Sequence, residues 1–114
     1  MVEGKEFEVI ITSFAEKAYF QVLEYVYEYH TPKMAEKIAI ELLKFPLILK
    51  QFPKMGTIEL ILEERPEKFR FLLFERTERI TVKILYFVDY ERNVIYITDF
   101  FPSEMLNKKI KKRN

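Results

Sequence analysis

Apolar residues recur along this chain with two different periods, and the switch between them divides it. Residues 7–12, Phe-Glu-Val-Ile-Ile-Thr, are β-branched and aromatic and predict a short first strand. Ser13-Phe-Ala-Glu16 follows as a capping box, the Ser13 hydroxyl accepting from the Glu16 amide and the Glu16 carboxylate from the Ser13 amide. Ala15, Ala18, Tyr19, Val22, Leu23, Val26 and Tyr29 then repeat at helical spacing, with Glu16, Lys17, Glu24 and Glu28 mostly between them. Thr31 as N-cap and Pro32 at the first helical position open a second helix, striped by Ala35, Ile38, Ala39, Leu42 and Leu43. The very short link makes the pair an antiparallel hairpin. Pro46 interrupts the continuing stripe at a cost of about 3 kcal/mol to a helix interior. A break is expected between Leu42 and Leu47, with Phe45 or Leu49 closing the bottom of the core.

Gln51-Phe-Pro-Lys-Met-Gly56 reads as a turn. Residues 57–64, Thr-Ile-Glu-Leu-Ile-Leu-Glu-Glu, fit a strand through Ile58, Leu60 and Leu62 and a helical turn through Ile58, Ile61 and Leu62, and both readings stay open. After Pro66 the period is two, over residues 68–75, 80–89 and 94–101. The connections Arg76 to Arg79 and Tyr90 to Asn93 are too short for parallel returns, so these strands are antiparallel hairpins. Both of their faces carry apolar residues, so the sheet is covered by the helix hairpin on one side and partly covered on the other. The expected class is α+β: an N-terminal strand and an antiparallel helix hairpin packed on one face of a mainly antiparallel sheet of at least four strands.

Composition narrows the chemistry. The chain has 114 residues, 49% hydrophobic and 32% charged, which suits one packed domain. It has no cysteine, one histidine (His30), two glycines (Gly4 and Gly56) and two serines (Ser13 and Ser103). Thiolate catalysis, sulfur zinc sites, paired-histidine metal sites, P-loops, dinucleotide fingerprints and nucleophile elbows are therefore excluded within one chain. No cofactor and no metal are implied. Without an 18-residue apolar stretch or a signal-type N-terminus, the expected location is the cytoplasm, away from membranes.

The net charge of +1 conceals an asymmetry. Residues 108–114 hold five basic side chains, leaving 14 basic against 18 acidic in residues 1–107, a net of −4. Nucleic-acid binders are usually basic in the body. Here the body, a single domain over 1–107, is mildly acidic, and only a 108–114 tail is basic.

The order strand, helix hairpin, Phe-Pro-x-x-Gly turn and three antiparallel strands resembles the RelE/ParE superfamily of type II toxin–antitoxin toxins. The residues carrying the resemblance are Phe7 to Glu16, the Thr31-Pro32 hinge with Ala35, the turn Phe52-Pro53-Lys54-Met55-Gly56, Phe69-Arg70-Phe71, Ile84 to Asp89, and Val94 to Ile97. It spans about residues 6–101. It implies a RelE/ParE-like fold, a role of the plasmid-stabilisation type, and a cognate antitoxin as protein partner. The target is DNA gyrase in the non-nuclease members and messenger RNA on the ribosome in the RNA-cutting ones.

The candidate catalytic residues under the nuclease alternative are Arg70, Lys83 and Tyr86. An RNA-cutting member must deprotonate a 2′-hydroxyl, stabilise phosphoryl charge and protonate a leaving oxygen. Lys83 falls where the family places a basic strand residue, Arg70 falls on the preceding strand, and the two would hold a phosphate. Asp99 to Asn107, however, contains no arginine, lysine, histidine or tyrosine, so the family's late basic residue and acid/base tyrosine have no counterpart. The balance favours a ParE-like or non-catalytic protein over an mRNA endoribonuclease. A non-toxic binding module or homodimer of the same fold is the third reading.

Each candidate also has a plainer explanation: Lys83 as a solvent-facing strand position, Arg70 as the partner of Glu75 or Glu78, and Tyr86 and Tyr96 as sheet aromatics. Tyr19, Tyr25, Tyr27 and Tyr29 read as helix packing, and His30 as a group bonded to free helix-end carbonyls. The apolar excess on the strands, at Phe69, Phe71, Leu73, Leu85, Phe87, Ile95, Ile97, Phe100 and Phe101, predicts a groove for a helical antitoxin segment. Deleting residues 108–114 is expected to weaken non-specific nucleic-acid binding and flatten its salt dependence, as measured by anisotropy titrations at several salt concentrations.

Overall fold

The structure, a computed structural model, describes residues 6–77 and 80–102. Strand β1 (Glu8–Ile11) runs into helix α1 (Ser13–Tyr29), and helix α2 (Pro32–Lys44) returns beside it. A 3₁₀ helix (Phe45–Lys50), the two-residue strand β2 (Thr57–Ile58) and a second 3₁₀ turn (Leu60–Leu62) follow, and β3 (Arg70–Thr77), β4 (Ile80–Asp89) and β5 (Val94–Pro102) complete the chain. The sheet order is β1-β5-β4-β3-β2. Every pairing is antiparallel except β1 with β5. Residues 12–93, which include the helix hairpin and three strands, join that parallel pair, far more chain than a parallel connection requires. The expected α+β architecture is therefore observed, with the sheet mixed at one edge.

Local chemistry explains the helix ends. Thr12, extended at φ −68° and ψ 162°, caps α1 by accepting from the Ala15 amide at 3.1 Å. The cap is thus one residue earlier than the Ser13 box predicts. Both hydroxyls stand before the apolar stripe, and only Thr12 still has strand geometry. Thr31 caps α2 as expected, accepting from the Met34 amide at 3.2 Å. At His30, Nδ1 bonds the Val26 carbonyl at 3.0 Å. The α-helix changes to 3₁₀ geometry at Phe45, with Pro46 in its first turn. Leu49 is fully buried there, while the Phe45 ring packs edge-on against Phe74 at 5.4 Å.

One core lies between the hairpin and the sheet. Ala15, Ala18, Val22, Val26, Ile38 and Leu42 meet Leu72, Phe74, Val82, Ile84, Ile97 and Phe100. Leu43, Tyr27 and Tyr29, expected to pack, are exposed instead. A bulge in β5 opposite Leu85/Tyr86 lets Ile97 and Phe100 both reach this core, three residues apart. An ion pair between Arg76 on β3 and Glu41 on α2 joins the layers at the surface. The opposite face is a second cluster of Leu62, Phe69, Leu85 and Phe101, flanked by Phe71 and Phe87. Residues 57–64 resolve their ambiguity by being both a strand and a 3₁₀ turn, and Leu62 from that turn enters this second cluster.

This packing corrects the expected strand groove. Phe69, Leu85, Ile95, Ile97, Phe100 and Phe101 are covered within the chain, and of the nine strand residues in question only Leu73 is as much as 45% exposed. Glu78 and Arg79, half of the first predicted connection, and residues 103–114, including the domain boundary at 107 and the basic tail, lie outside the described residues. Among the described residues no helix is long and apolar enough to cross a membrane. Thr12→Ala is expected to lower stability by about 1 kcal/mol, and Ser13→Ala by no more than about 0.5 kcal/mol, in urea titrations.

Candidate functional site

Residues 52–62 form a strap around the β3 edge of the sheet, and the three candidate residues all bind it. Tyr86 on β4 is fully buried among the core residues beneath the helices. Its hydroxyl donates to the Pro53 carbonyl at 2.8 Å and accepts from the Gly56 amide at 2.9 Å. Arg70, opposite Tyr86 in the β3–β4 register, donates from Nη1 to the carbonyls of Gly56 at 2.7 Å and Lys54 at 3.3 Å. The strap then pairs with β3 through Thr57 and Ile58 and passes to the other face. There Lys83 Nζ meets Glu59 Oε2 at 2.6 Å and stands 4.4 Å from the centre of the Phe71 ring. The second Glu59 oxygen accepts from the Ile61 amide at 3.2 Å and caps the Leu60–Leu62 turn.

Gly56 is required by space. A Cβ there would lie 2.6 Å from the Tyr86 hydroxyl oxygen and 2.7 Å from the Phe71 carbonyl oxygen. The Phe-Pro-x-x-Gly turn is therefore a packed contact, which its sequence shows only as punctuation.

Strand alternation puts Tyr86 and Lys83 on opposite faces, since Val82, Ile84 and Tyr86 all point toward the helices. The structure brings Arg70 and Tyr86 together and sets Lys83 apart. Burial raises the Tyr86 pKa, opposed by the Gly56 hydrogen bond and the Arg70 charge. The hydroxyl stays protonated near neutral pH, and its donor and an acceptor site are already used. Arg70 binds carbonyls and forms no ion pair with Glu75, and Glu78 lies outside the described residues. Tyr96 is half-buried and stacks on Phe87 at 5.2 Å. Among the described residues no group of three or more His, Asp or Glu is placed to hold a metal ion.

Sequence reasoning missed Glu59, which is 4% exposed. Its one sign was a lone acid between Ile58 and Leu60. It also missed two hollows beside the strap. One, of about 600 Å³, is an open apolar recess including Ile48, Phe52, Pro53 and Met55. The other, of about 680 Å³, includes Lys54, Lys68, Arg70, Phe87 and Tyr90.

No family model and no curated protein matches the chain. Among solved structures, it is similar to a chain of the chromosomal ParDE TA system from P. aeruginosa. That match has a TM-score of 0.65 and 17% identity, and covers 87% of this chain and 98% of the other. The fold is RelE/ParE-like. In this RelE/ParE-like scaffold Arg70, Lys83 and Tyr86 each contact the strap.

Two outcomes follow from these contacts. Lys83→Ala is expected to destabilise the fold by about 3–5 kcal/mol, because it leaves Glu59 charged and buried without its partner. The double variant Lys83→Met with Glu59→Gln recovers most of that loss in the same denaturation series. Tyr86 holds its proton more tightly folded than unfolded, so its contribution is intact below about pH 10 and is lost as the pH rises from there through the raised native value. Thermal melts should fall above about pH 10 and fall less in Tyr86→Phe, after its lower starting stability is subtracted.

Proposed function

We propose that this chain is the toxin-like component of a type II toxin–antitoxin pair, that a cognate antitoxin neutralises it, and that it acts on a macromolecule by binding, as ParE-like members do on DNA gyrase, without cutting RNA. One observation carries the reading: Arg70, Lys83 and Tyr86 are each engaged in holding the 52–62 strap. General acid–base catalysis needs a group free to exchange a proton near the working pH. A buried tyrosine with a raised pKa that spans Pro53 and Gly56 is poorly suited to that task. The two cations lie on different faces and so make a poor joint clamp for one phosphate. The likeness to a ParDE TA system chain supports the toxin–antitoxin side of the reading.

The test is induction of the gene alone and with its neighbour. Growth arrest that co-expression relieves is expected. The arrest should persist in Lys83→Met with Glu59→Gln, which keeps the strap packed while removing the cation. Purified protein with translating ribosomes should leave messenger RNA intact. Ribosome-dependent cleavage that disappears in this double variant would restore the endoribonuclease reading. Absence of arrest at every expression level would favour a non-toxic binding or homodimer module.

A further inference from the structure

The strap carries a two-part surface of unlike halves that meet at one residue. On one side the recess is walled by Ile48, Phe52 and Met55, which are 38%, 56% and 58% exposed, together with Pro53. Phe45 and Leu47, also exposed, continue this apolar area along the 3₁₀ helix. On the other side the cleft presents Lys54, Lys68 and Arg70 beside the aromatic rings of Phe87 and Tyr90. Lys54 lines both hollows, and its Nζ stands 5.7 Å from the centre of the Tyr90 ring.

Charge identifies the kind of occupant. Two carboxylates, Glu67 and Asp89, also line the cleft, and Asp89 is held by Arg92 at 2.9 Å. Among the described residues no carboxylate forms an ion pair with Lys54, Lys68 or Arg70. The cleft is thus a local cationic excess on a body whose first 107 residues carry a net of −4. A polyanion such as RNA would meet cations on one side and, on the other, an apolar wall that offers phosphate no partner. A peptide with carboxylates next to aliphatic side chains satisfies both halves.

We propose that this surface is the docking site for an acidic, aliphatic segment of the neutralising protein partner, its carboxylates meeting Lys54 and Lys68 and its apolar side chains filling the Ile48–Phe52–Met55 recess. The proposal rests on the toxin–antitoxin reading and goes beyond it by placing the partner on the strap, away from the outer face of the helix hairpin. The strap suits the task because Tyr86, Arg70 and Lys83 hold it rigidly from beneath, so little ordering is left to oppose binding.

The experiment measures binding of the purified product of the neighbouring gene to this chain by calorimetry. The proteins compared are wild type, Met55→Glu, Lys54→Glu with Lys68→Glu, and a control, Phe20→Glu with Tyr27→Glu, on exposed positions of α1. Circular dichroism verifies that each is folded. Affinity is expected to fall at least about tenfold in the first two variants and to change less than about threefold in the control. Replacing the partner's acidic stretch with lysines should restore binding to Lys54→Glu with Lys68→Glu. Wild-type affinity in both strap variants, or loss confined to the α1 control, would overturn the site while leaving the toxin–antitoxin reading intact. So would binding of a single-stranded RNA oligonucleotide lost in the lysine variant while the partner still binds it. A neighbouring product that does not bind wild type at all would overturn the toxin–antitoxin reading and this site with it.

Discussion

The Tyr86 hydroxyl, buried beneath the strap and bonded to both Pro53 and Gly56, is the contact on which the rest of the molecule is arranged. A buried hydroxyl without partners costs about 1–3 kcal/mol, so the turn must close over it. Closing over it requires a residue without a side chain at position 56, since a Cβ would meet both the hydroxyl and the Phe71 carbonyl. The turn in turn sets where β2 meets β3 and directs the following residues around the sheet edge. Leu62 then reaches the second apolar cluster, and Glu59 meets Lys83. One tyrosine on the helix side thereby determines how the opposite side is covered.

That arrangement has a consequence for function. A common scaffold does not by itself dictate an activity, which depends on the groups that a given chain leaves free. Here the strand side chains best able to meet phosphate are occupied in structure, while exposed apolar residues gather on the 3₁₀ helix and the strap. The strap thus presents an apolar flank and a cationic flank at the surface. Rigidity is what the buried ion pair and the tyrosine supply, by removing alternative positions for residues 53–59.

Periodicity, capping residues and proline placement were sufficient for the elements, since each reflects interactions within a few residues. The hairpin, the change at Pro46 and the antiparallel strands all follow from such local rules. The Thr12 cap shows their resolution limit: two adjacent hydroxyls compete, and the chain direction leaving β1 selects between them. The parallel pairing of β1 with β5, by contrast, joins residues 8–11 to residues 94–97, and no local pattern records it.

What the sequence determined by itself was the fold class, the single apolar core under a helix hairpin, and the absence of thiol, P-loop and paired-histidine chemistry, because composition and period alone decide these. Only the tertiary structure decided what Arg70, Lys83 and Tyr86 touch. A cation or a phenol on a strand reads identically whether it awaits a substrate or holds a neighbouring loop. The difference lies in groups distant in sequence, 14 residues from Arg70 to Gly56, 24 from Lys83 to Glu59 and 33 from Tyr86 to Pro53, that folding brings within hydrogen-bond reach.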